Sequence, residues 1–87
     1  MADQIVFSRT SIADTDGEVS VGQHTSAFYI MNKDTNHWID VKLNGGPHVV
    51  AIPPYNTHSP HYFEIIGDYT KIQVMTASST IAAFAIG

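Results

Sequence analysis

No stretch of this chain places apolar residues at helical spacing. Between residues 5 and 86, short runs of β-branched and aromatic residues alternate with turn chemistry, and such a pattern has few solutions other than strands. Ile5-Val6-Phe7 opens as a short strand or an ordered arm. Residues 13–17, Ala-Asp-Thr-Asp-Gly, supply the side-chain hydrogen bonds and positive φ of a turn. Val19-Ser20-Val21 alternates, and residues 26–31 form a strand with Phe28 and Ile30 on one face and Ala27, Tyr29 and Met31 on the other.

The cleanest alternation is residues 38–43. Ile39, Val41 and Leu43 share one face, while Asp40 and Lys42 share the other with Trp38. Asn44-Gly45-Gly46-Pro47 then turns the chain into Val49-Val50-Ala51-Ile52, so residues 38–52 read as a β-hairpin. Pro53-Pro54 stops the return strand, because proline cannot donate to a ladder. Residues 62–66 and 72–76 are further strands, and Ala77-Ser78-Ser79 leads into residues 80–86. Residues 71–86 read as a second hairpin. Seven or eight short strands at about ten-residue spacing predict an all-β antiparallel sandwich, jelly-roll-like in its connections.

Eighty-seven residues make one domain, 1–87, with a thin core. Folds of this size commonly add disulfides, a metal or a partner chain. With no cysteine, disulfides are excluded, which leaves a His/carboxylate metal site or other chains. Charged residues are 14% of the chain, against roughly 25% in ordinary soluble domains. With 44% hydrophobic content, that balance predicts surface covered by copies of the chain or by another protein.

The four cations, Arg9, Lys33, Lys42 and Lys71, are scattered in a chain of net charge −4. Nucleic acid and anionic membrane are therefore not expected as partners. No apolar run approaches about 18 residues, so no spanning helix is expected. Residues 1–4 lack the basic start of a signal peptide, and the opening Met1 and closing Gly87 suggest a complete small product.

Chemistry-bearing residues are few. His58-Ser59-Pro60-His61-Tyr62-Phe63-Glu64 puts two imidazoles and a carboxylate within seven residues, which makes His58, His61 and Glu64 the metal candidates. The spacing resembles a loosened cupin motif. The departure is that two residues, one a proline, separate the histidines, so they do not share a strand face. A solvated or interface loop is preferred, and no cofactor is expected.

Asp14-Thr15-Asp16-Gly17-Glu18 resembles the start of a calcium loop without its later ligands. His24, His37 and His48 lie beside turns. Trp38, Tyr55, Tyr62 and Tyr69 could stack on sugar rings, with core or interface use preferred. No nucleophile elbow, catalytic triad spacing or phosphate loop is present, so an enzyme is not expected. The interface candidates are Ile5, Phe7, Trp38, Tyr55, His58, His61 and Tyr62.

Residues 38–87 carry a resemblance. Asn44-Gly45-Gly46-Pro47, an apolar strand ending in Ile52-Pro53-Pro54, a phenylalanine strand, Gly67-Asp68-Tyr69-Thr70-Lys71-Ile72, and a Ser/Thr turn before Thr80-Ile81-Ala82-Ala83-Phe84-Ala85-Ile86-Gly87 follow one another. This succession resembles small β-sandwich structural proteins of tailed bacteriophages, of the capsid decoration (cement) and spike-base or adaptor type. The resemblance covers a little over half of the chain.

It implies a non-enzymatic virion protein, assembled in the host cytoplasm, that bridges subunits of the head lattice. Its implied partners are the major capsid protein or another virion protein and copies of itself, as a homotrimer. A tail or spike-base component, a small carbohydrate-binding module and a cupin-like metal protein are the alternatives. Residues 1–10 would be an arm that orders on a neighbour.

Overall fold

The structure, a computed structural model, describes residues 4–44, 49–55 and 62–87. Among them are eight strands: β1 (Ile5–Ala13), β2 (Glu18–Ser20), β3 (Ala27–Asn32), β4 (Ile39–Leu43), β5 (Val49–Ile52), β6 (Phe63–Ile66), β7 (Lys71–Val74) and β8 (Thr80–Ile86). They form two antiparallel four-stranded sheets, β1-β8-β3-β6 and β2-β7-β4-β5. The molecule is the all-β sandwich that the alternation predicts.

The pairings β1 with β8, β2 with β7, β3 with β6 and β4 with β5 are the rungs of one chain folded back about its middle. Successive rungs fall in alternate sheets, so the folded-back chain is wrapped around its own core. Loops therefore collect at two ends. Residues 14–17, 33–38 and 75–79 lie at one end, and residues 21–26 and 67–70 at the other.

Side-chain alternation fills the interior. The first sheet contributes Ile12, Phe28, Ile30, Ile81, Ala83 and Ala85; the second contributes Ile39, Val41, Leu43, Ile52, Ile72 and Val74. Phe28 is its largest fully buried side chain. Ala85 lies opposite both Phe7 and Phe28, and its small side chain leaves room for the two rings to meet at 5.9 Å between centroids. Tyr69 also packs against Phe28, at 6.4 Å between centroids.

The 38–52 hairpin is present, with register Ile39↔Ile52 through Lys42↔Val49; its turn residues 45–48 lie outside the described residues. The turn at 13–17 is a single 3-10 turn over Asp14–Asp16 that ends at Gly17 with φ 66°. Asp16 closes it by accepting the Ala13 N–H at 2.8 Å.

Two expectations need correction. Residues 71–86 are not a hairpin: β7 pairs with β2 and β4, and β8 pairs with β1 and β3. Residues 75–79 carry the chain across from one sheet to the other. The Met75 N–H donates to the Asp40 carbonyl at 2.8 Å, and the Asp14 N–H to the Ser79 carbonyl at 3.1 Å, which fastens the crossing to both sides. A sequence window shows the strands and the turn but not which neighbours compete for each edge. The second correction concerns residues 5–10 of the expected arm. They begin a nine-residue strand laid along β8 of the same chain, because Phe7 has core to bury. Residues 1–3 lie outside the described residues.

Candidate functional site

The first sheet has an outer face that is not polar. Its register places Ile5, Ile86, Ala27 and Ile66 in one row across all four strands, and Ser8, Phe84, Tyr29 and Glu64 in the next. Ile5 is 64% and Ile66 75% exposed. Tyr29 stacks on Phe84 at 4.7 Å, and Tyr62 meets the same ring edge-on at 4.9 Å. Ala27 and Ala82 are buried although they belong to the outer face. The Tyr29 hydroxyl donates to Glu64 at 2.6 Å. That short bond fixes the ring and engages the one charged side chain in those two rows.

A second feature lies at one end. Asn32, 2% exposed at the close of β3, donates from Nδ2 to the carbonyls of His37 (2.8 Å) and Ile52 (3.1 Å). Its Oδ1 accepts the Asp34 N–H at 2.7 Å. Asp34 in turn accepts the N–H groups of Asn36 (2.8 Å) and His37 (3.2 Å) and faces the His37 ring Nδ1 at 3.2 Å. The Asn36 N–H first, and then the His37 ring, hold the Asp34 carboxyl below its ordinary value. These bonds fix residues 33–38 and leave Trp38 60% exposed. Asp34, His37 and Trp38 face Thr76, Ala77, Ser78 and Ser79 across a cleft of 390 Å³.

The opposite end is pinned in a similar way. Asp68 accepts the Thr25 N–H at 3.0 Å and faces His24 Nδ1 at 2.7 Å. The Thr25 N–H first, then the His24 ring, lower the Asp68 carboxyl. Asn44, at φ 60°, accepts the Thr70 N–H at 2.7 Å.

The sequence candidates separate in space. Ile5 and Tyr62 belong to the outer face of the first sheet, and Trp38 to the end cleft. Phe7 is turned into the core instead of toward a partner: a register shift between Ile5 and Phe7 sends Ile5 out and Phe7 in. Tyr55 is half-buried and donates its N–H to the Asp34 carbonyl at 2.9 Å, while Tyr69 packs on the core. The four aromatics do not form one platform.

His58, His61 and His48 lie outside the described residues. Glu64 is in β6, bonded to Tyr29. In the acidic turn, Asp16 serves Ala13 and approaches Arg9 at 4.0 Å, and Glu18 approaches Lys71 at 3.7 Å. Among the described residues no group of three His, Asp or Glu side chains is arranged to hold a metal.

Sequence reasoning missed the aromatic cover of Tyr29 and Phe84, and also Asn32, Thr76 and Ser78 at the cleft. The opposite parity of Tyr29 and Phe28 signalled the first. Nothing in the run 32–36 distinguished a buried asparagine from the exposed turn formers around it. In comparisons with known proteins, no family model, no curated protein and no solved structure matched the chain.

Proposed function

We propose that this chain is a non-enzymatic structural protein of a virion, most simply a decoration or cement protein that bridges subunits of a head lattice. The observation that carries the reading is the outer face of the first sheet, where Ile5, Ile86, Ile66, Tyr29, Phe84 and Tyr62 share one surface. A contiguous apolar face on a small chain marks a contact surface. Aromatic residues are enriched at the buried centre of such contacts and charges are depleted there. The wrapped, folded-back connectivity, which we read as a jelly roll, belongs to an architecture used by capsid and lectin domains, and the resemblance of residues 38–87 points to the first of these.

The mechanism is additive. Each copy covers its own apolar face against a neighbour and contributes free energy that a subunit pair lacks alone. Burying one isoleucine fully gives about 1.5–3 kcal/mol. Copies of the chain, as a trimer, and a major capsid protein are the proposed partners, and the virion is the proposed location.

Sedimentation of the intact chain tests the self-contact. A closed oligomer is expected, and Ile66→Glu should weaken it by at least about tenfold, since a carboxylate would have to be desolvated at the contact. A monomer at every concentration, or an oligomer indifferent to Ile66→Glu, would remove the support for this face.

A further inference from the structure

The end cleft is separate from the outer face of the first sheet, and none of its lining residues belongs to that face. Three observations converge on it. Trp38 is the one tryptophan in the chain and is held largely in water by a loop whose polar groups are fixed from within by buried Asn32. A rigid loop that displays its largest apolar side chain loses hydrophobic stabilisation unless a ligand covers the ring. Ser78, on the opposite wall, has φ 59°, a left-handed backbone uncommon outside glycine, asparagine and aspartate. Such outliers gather at ligand sites. Finally, the cleft of 390 Å³ sits at the small end of the usual range for small-molecule sites.

The polar groups decide the class of ligand. His37 turns Nδ1 to Asp34, which leaves Nε2 for a ligand. The Thr76 hydroxyl oxygen accepts the Asp40 N–H at 2.9 Å, so its own hydrogen remains to donate. Ser78 is exposed and its hydroxyl can both donate and accept. The lining contains no Lys or Arg, which disfavours a phosphate or nucleotide. Both oxygens of Asp34 are already engaged, one by two N–H groups and the other by the His37 ring, so few of its lone pairs are left for a cation.

An apolar plate beside interleaved neutral donors and acceptors suits a ligand with one C–H face and a rim of hydroxyls. We propose that this cleft binds a pyranose ring of a glycan, with its C–H face on Trp38 and its hydroxyls bonded to His37, Thr76 and Ser78.

The sole tryptophan makes the test specific. The intact chain is titrated with the methyl glycosides of glucose, galactose, mannose and N-acetylglucosamine and with their β-linked disaccharides, reading Trp38 emission. At least one sugar should give a saturable change, with a dissociation constant on the order of 1 mM. The same sugar, followed by calorimetry, should bind Trp38→Ala at least about tenfold more weakly and Ser78→Ala more weakly by a smaller factor. Ile66→Glu, on the other face, should bind as the parent does. The proposal is overturned by emission indifferent to the whole panel, by unchanged affinity in Trp38→Ala, or by emission that follows protein concentration and not sugar, which would make Trp38 a contact between copies.

Discussion

The two outer faces of this sandwich have the same geometry and opposite chemistry. A row across the first sheet reads Ile5, Ile86, Ala27, Ile66, whereas the corresponding row across the second reads Glu18, Gln73, Lys42, Val49. Each row spans four antiparallel strands over the same core. An antiparallel sheet with one solvated face is expected to alternate polar outside with apolar inside. The second sheet obeys in β2, β4 and β7, where Asp40, Lys71 and Glu18 are exposed while Ile39, Val41, Ile72 and Val74 are buried, and departs in its edge strand β5, which turns Val49 and Ala51 outward. The first sheet departs from it in β3, β6 and β8, where both faces carry apolar or aromatic side chains. The fold needs only the inner set, and the outer set on the first sheet is what supports the proposed contact with another surface.

The largest effect tests the support that both faces share. Phe28→Ala empties the point where Phe7 and Tyr69 converge and should cost about 3–5 kcal/mol. A domain of this length has a stability on the order of 5–10 kcal/mol. Urea denaturation should therefore show most of the reserve gone, with assembly through the first sheet lost along with it. A loss below about 1 kcal/mol would mean that the core can collapse onto the gap and that the faces do not depend on this ring.

Ile66→Glu and Val49→Glu each place a carboxylate on an exposed edge strand, one per sheet. Neither should shift the stability of the isolated chain by more than about 0.5 kcal/mol, as is usual for surface substitutions. Self-association should fall at least about tenfold in the first and remain in the second. Equal loss in both would place the contact elsewhere or spread it over both sheets.

How much of this was legible in the sequence follows from the range of each interaction. Alternation is local, so β3, β4 and β7 and their inner faces could be read directly from residues 27–32, 39–43 and 71–74. The hairpin 38–52 could be read too, because its two strands are neighbours in both chain and sheet. Pairings between distant segments could not: β1 lies on β8, at the far end of the chain, and the apparent hairpin 71–86 is divided between sheets.

The same limit governed the candidate sites. Trp38 was visible as an outward residue, but its cleft needs Thr76 and Ser78, about forty residues on. Ile5 and Phe7 look equivalent in sequence, and a bulge against β8 sends them opposite ways. The outer face of the first sheet forms only when β3, β6 and β8 lie side by side, so its rows could not be read from any one segment.

The two ends of the sandwich should contribute to its loss of stability in acid. Asp34 and Asp68 both have carboxyls held below the ordinary value of 3.8, chiefly by the N–H groups of Asn36 and Thr25. A carboxyl whose pKa is lower folded than unfolded contributes stability that is complete above the unfolded value and is lost as pH falls through the folded one. The thermal midpoint should therefore hold through mildly acid conditions and fall below about pH 4. Asp68→Asn should make that decline shallower. An unchanged acid limb in Asp68→Asn would show that Asp68 does not couple folding to protons.

The smallest effects sharpen the contrast in energy. On the second sheet Lys71 and Glu18 approach at 3.7 Å with both side chains substantially exposed. Water screens such a pair and its flexible side chains resist ordering, so Lys71→Ala should change stability by no more than about 0.5 kcal/mol, and less in high salt. On the first sheet the Tyr29 hydroxyl donates to Glu64 at 2.6 Å from a ring already stacked on Phe84. The stacking means that little additional order is needed to form the bond, and its acceptor is charged. Tyr29→Phe keeps the ring and removes only the hydroxyl, so the expected loss is about 1 kcal/mol. Urea titrations of the two variants side by side make the comparison. If Lys71→Ala costs as much as Tyr29→Phe, the polar face is as ordered as the aromatic one, and the two faces differ in chemistry but not in rigidity.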